Sequence, residues 1–121
     1  MKLLVKSYSS IDSTTIIFFQ DEFLEAIEWY EKLPDKDKDL IFTDDRYQIL
    51  RELKLLIQHG QSVKGRYQDH IVMIIKKYQE YLANELDSHS EKLPIETKTK
   101  MKRTIQRITD FLEGDYHPTP P

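Results

Sequence analysis

The chain has 121 residues, enough for one domain that buries roughly two thirds of the surface its unfolded form exposes. It holds no cysteine, which excludes a disulfide framework, a thiolate metal site and a thiol nucleophile and suits a reducing, cytoplasmic setting. A formal net charge of -3 and 32% charged residues fit amphipathic helices with solvated outer faces and speak against a strongly basic nucleic-acid binder.

At the N-terminus "KLLVKSY" and "STTIIFF" flank "SSID", and these short apolar, β-branched runs predict a β-hairpin over residues 1-19. The competing pattern is a helix from Ser13 to Leu33, because Phe19, Phe23, Ile27 and Tyr30 recur at helical spacing. The hairpin is the preferred reading. Lys6, Ser9, Ser10 and Asp12 interrupt the apolar blocks, leaving them too short for a signal core or a membrane span.

"DEFLEAIEWYEKL" predicts the first main helix, stopped by Pro34, and its apolar residues cover more than half the wheel, so it should pack on two sides. "DKDKDLIFTDD" reads as a loop. Thr43 then serves as N-cap of a second helix with Asp44 and Asp45 in its first turn, where the helix dipole favours anions. Leu50, Leu53, Leu56 and Ile57 form its stripe, and Gly60 ends it.

The third helix is predicted from Val63 or Tyr67 to Leu86, with Tyr67, Ile71, Ile74, Tyr78 and Leu82 aligned. "IVMII" at its centre is apolar all round, but the pattern outlasts any ordinary strand. "SHSEKLP" is a break, and Pro94 opens a fourth helix bearing Met101, Ile105, Ile108 and Leu112, with Gly114 at its end. "DYHPTPP", residues 115-121, reads as a flexible tail. The fold expected is mainly α: a single helical domain over 1-114, a bundle of about four helices with a short N-terminal hairpin. An α+β fold, with the hairpin in a small sheet, is the alternative.

"HGQSVKGRY" has the glycine spacing of a phosphate loop, with Gly60 and Gly65 followed by Arg66. Tyr67, however, stands where a small hydroxyl should meet magnesium, and a helical stripe precedes the motif instead of a strand. "DKDKD" fails as a calcium loop because Leu40 occupies the glycine position and Arg46 the glutamate position. His59, His70, His89 and His117 are scattered, so no metal and no cofactor are expected. Tyr67, Tyr78 and Tyr81 share a broad face with Glu85, where buried phenols in search of hydrogen bonds explain more than acid-base catalysis does. No catalytic residue is expected, and the chain is read as a non-enzyme.

Charge carries the remaining information. From Asp21 to Asp45 ten acids face three lysines, giving -7, whereas Lys92 to Arg107 holds six bases and one acid, giving +5. Asp21, Glu25 and Glu28 form a ridge on the first main helix beside Trp29; Lys100, Arg103 and Arg107 form one on the last. The two ridges could face each other within one molecule, or either could meet a partner. The functional expectation is a small cytoplasmic interaction module, an adaptor, inhibitor or protective partner of a larger protein with a basic surface. Asp21, Glu25, Glu28 and Trp29 would be its binding residues. A nucleic-acid accessory protein using Lys100, Arg103 and Arg107 is the alternative. A homodimer burying the broad apolar face of the first main helix is compatible with either, and no membrane association is expected.

Overall fold

The computed structural model of the chain describes residues 10-38 and 46-114. Its elements in chain order are β1 (Ser10–Ile11), α1 (Ser13–Phe18), α2 (Gln20–Glu31), α3 (Asp35–Lys38), α4 (Arg46–Gln58), β2 (Val63–Lys64), α5 (Arg66–His89) and α6 (Ile95–Glu113). A 3-10 turn over Ser90–Lys92 joins the last two. Among the described residues the fold is therefore mainly α, with four long helices, as the periodicity predicts.

The N-terminal hairpin does not form. "STTIIF", its second arm, is helix α1, which Asp12 caps by accepting a hydrogen bond from the Thr15 amide at 2.8 Å. β-Branched residues fit a strand only where strand neighbours receive them, and here the helical spacing of Thr15, Ile16, Phe19 and Phe23 buries all four. Only Phe19 interrupts the helical path from Ser13 to Glu31, so the competing helix pattern describes this segment better than the preferred one. The first arm, and Thr43 with Asp44 and Asp45, fall outside the described residues, as does the 115-121 tail.

Among the described residues strand pairing is confined to one short antiparallel contact, Ser10 with Lys64 and Ile11 with Val63. It joins the residue before α1's cap to the α4–α5 connection, and buries Ile11 and Val63. The small-sheet alternative fails with the hairpin on which it depended.

Pro34 ends α2 as expected, but the acidic stretch after it is not wholly irregular. The Pro34 carbonyl accepts from the Asp37 and Lys38 amides at 2.9 and 3.0 Å, giving the single turn α3. Tyr30, fully buried, donates to the Lys38 carbonyl at 2.9 Å and holds that turn against α2.

The α4–α5 connection settles the glycine motif. Gly60 has φ +65, its amide bonds to the Ile57 carbonyl at 3.1 Å, and the Gln61 amide reaches back to Leu56 at 2.8 Å. This is the left-handed close that stops a helix and satisfies its last carbonyls. Gly65, at φ 65 and ψ -144, precedes α5. Helix α5 begins at Arg66, since Val63 belongs to β2, and runs three residues past the predicted Leu86 to His89. Pro94 sits just outside α6 in extended geometry, and Gly114, at φ 68, closes that helix.

Helix α2 occupies the centre, packed against α4, α5 and α6, which is why so much of its wheel is apolar. Phe19 and Phe23 meet Phe111 of α6 edge to face at 5.6 and 5.1 Å. α4 and α5 touch each other less than each touches α2. Two glutamines bridge the helices: Gln20 donates to the Ile57 carbonyl at 2.7 Å, and Gln79 to Thr109 Oγ1 at 2.8 Å.

Candidate functional site

Helix α2 sends its buried positions, Phe23, Ala26, Ile27 and Tyr30, into the core, and this phase fixes where its carboxylates stand. Asp21 and Glu28 are exposed at the crest, Glu25 is half-buried on one side, and Glu22 is rotated toward α6. The two charged ridges touch at one pair, Lys100 Nζ 3.9 Å from Glu25 Oε2, whereas Arg107 turns to Glu22, outside the predicted ridge, with Nε 2.8 Å from Oε2.

These two contacts differ in kind. Glu22 is 9% exposed, and Arg107 lies over the rings of Phe18 and Phe19 at 4.8 and 5.1 Å while donating to the Phe18 carbonyl. That carbonyl ends α1, so one guanidinium neutralises a buried carboxylate and satisfies a helix terminus. Lys100 is 72% exposed at the longer distance, where an ion pair contributes little. Arg103 is exposed and makes no side-chain ion pair among the described residues.

Away from α6 the acidic face stays open. A groove of about 360 Å³ between α2 and α4 is lined by Asp21, Leu24, Glu25, Glu28, Glu31, Lys54 and Gln58. Lys54, its one cation among the described residues, is bound to Glu31 at 2.9 Å. Asp21 and Glu28 form no ion pair among the described residues and leave their charge to solvent.

Trp29, at the edge of this face, does not stand alone. Its ring lies 5.5 Å from Tyr78 and 5.6 Å from Tyr81 of α5, and the two tyrosines stack at 6.4 Å with 16° between their planes. The Tyr78 hydroxyl donates to Glu25 Oε1 at 3.2 Å. Burial, and then the charge and hydrogen bond of Glu25, push the Tyr78 phenol well above its ordinary range. It stays protonated as a donor, a poor starting point for a general base.

The sequence pattern thus names the face and part of its membership. Asp21, Glu25, Glu28 and Trp29 do share one side of α2, whereas Tyr78, Tyr81 and Glu31 join them only through packing. Tyr67, Tyr78 and Tyr81 share a helix face with Glu85 in the sequence pattern, but the carboxylate that meets Tyr78 is Glu25, and Glu85 faces His89 at 3.4 Å. Tyr67 packs half-buried against the core, and His70 Nδ1 lies 2.6 Å from the Arg66 carbonyl one turn back. No helix among the described residues is long and apolar enough to cross a membrane. The chain matches no family model, no curated protein and no solved structure.

Proposed function

We propose that the protein is a non-catalytic interaction module that acts in the cytoplasm and receives a basic surface of a larger protein on the acidic face of α2. The observation that carries this reading is the groove between α2 and α4, where four carboxylates face one ammonium that is already paired. Opposed fields accelerate encounter, and the aromatic edge at Trp29 supplies the desolvated anchor that a charged strip alone lacks. The basic strip of α6 is a weaker candidate, because Arg107 and Lys100 face acids of α2.

Asp21 and Glu28 are the residues to reverse, since neither is used inside the described fold. Affinity capture from cell extract with the wild-type chain and with an Asp21→Lys, Glu28→Lys variant tests the reading. Partners retained by the first and lost by the second support it; identical capture overturns it. The exposed Arg103 keeps the nucleic-acid alternative testable: salt-sensitive retention on immobilised RNA, lost in Lys100→Ala, Arg103→Ala, would favour that alternative.

A further inference from the structure

We infer that the ring cluster of Trp29, Tyr78 and Tyr81, edged by Glu25 and Glu28, is a docking patch for an arginine side chain on a basic segment of a partner protein. The inference rests on the acidic-face reading and names the group that face recognises.

Core packing accounts for only part of this cluster: Trp29 and Tyr78 lean against the core, but Tyr81 does not belong to it. The large rings that fill the interior, Phe19, Phe23 and Tyr30, are fully buried, whereas Tyr81 remains 41% exposed and Trp29 half-buried. Two helices therefore hold three aromatic rings together at the surface, within 5.5 to 6.4 Å of one another. Ring faces carry negative potential and attract cations, and the attraction is strongest for tryptophan.

The charged groups around the rings have the matching sign. Glu25 is held in place by the Tyr78 hydroxyl at 3.2 Å, and Glu28 is exposed one turn further along α2. On α5, Lys77 and Glu80 lie 3.7 Å apart and offset each other. From α6 Lys100 reaches Glu25 at 3.9 Å but is largely solvated, so an incoming cation can displace it. A guanidinium suits this setting better than an ammonium, because its planar face stacks on a ring while its edge donates two parallel hydrogen bonds to a carboxylate.

Trp29 is the only tryptophan, so its fluorescence reports directly on the patch. Titration of the full chain with a hexa-arginine peptide at low salt should give a saturable change, with hexalysine binding several-fold more weakly. Tyr81→Ala should lower the hexa-arginine affinity about fivefold, and Tyr81→Phe should restore it, the size expected of a surface cation–ring contact. Both variants change an exposed side chain, and circular dichroism verifies their fold.

Equal affinity for the two peptides, an unchanged affinity in Tyr81→Ala, or no binding of hexa-arginine each overturns the arginine patch. Loss of partner capture in Asp21→Lys, Glu28→Lys despite such a result would leave the acidic-face reading standing, so the two fail separately.

Discussion

Gly65 and Gly114 both have positive φ, yet they pose different problems for any other residue. Gly114, at φ 68 and ψ 21, lies in the left-handed region that asparagine tolerates; Gly65, at φ 65 and ψ -144, lies where almost only glycine is found. Gly114→Ala should therefore cost about 1 kcal/mol and Gly65→Ala about 2 to 3, read from urea unfolding midpoints, although a Cβ meets no atom at either position. Gly60 adds a steric penalty to its positive φ, since its Cβ would approach Ile17 Cγ1 to 3.1 Å. The helix-ending role of Gly60 and Gly114 was legible, because each follows an apolar stripe of helical period. The need for glycine at Gly65 was not legible: it lies between β2 and α5, and the pairing of β2 with β1 links residues far apart in sequence. Tyr78 makes a second residue-scale prediction. Its folded pKa lies above the unfolded value, so its contribution is fully present below about pH 10 and is lost as pH rises through the folded pKa. Stability should fall steeply on the alkaline side, and Tyr78→Phe should flatten that fall in unfolding midpoints measured above pH 10.

Between elements, the decisive polar contact is that of α2 with α6. Arg107→Ala would leave the buried Glu22 carboxylate without its cation, and Oε1 of that carboxylate already has no hydrogen-bond partner among the described residues. A loss of about 3 kcal/mol is expected in chemical denaturation, whereas the double change Glu22→Met, Arg107→Met should recover most of it. Lys100→Ala should shift stability by no more than about 1 kcal/mol, since its pair with Glu25 is long and solvated. α1 depends on a local contact, and Asp12→Ala should cost about 1 kcal/mol by removing the bond to the Thr15 amide. The sequence revealed α2, α4, α5 and α6 because each is long and strongly periodic. It misled at α1, where six residues of β-branched and apolar character fit two periods equally well, and burial against α2 decided between them.

At the scale of the whole molecule, the segregation of charge along the chain is partly cancelled in space. Acids of α2 and bases of α6 lie 75 to 85 residues apart in sequence and meet in the fold. Composition disclosed the two blocks, but only the phase of each helix on the core shows which charges are consumed and which remain outward. The remaining surplus is acidic and lies along the groove toward α4. Its visibility in the sequence was limited for the same reason: Glu31 and Lys54 belong to different helices, and nothing in their spacing announces the contact.

The clasp between residue 107 and residues 18 and 22 also sets an order of events during synthesis. Helices α1 and α2 are made before α6 and cannot settle their buried carboxylate, or the carbonyl that ends α1, until Arg107 of α6 is available. Native packing of this unit should thus wait for α6 to be synthesised. A chain ending at Leu93 should accordingly lose its shape gradually on heating, without the sharp transition of the 121-residue chain, when followed by circular dichroism.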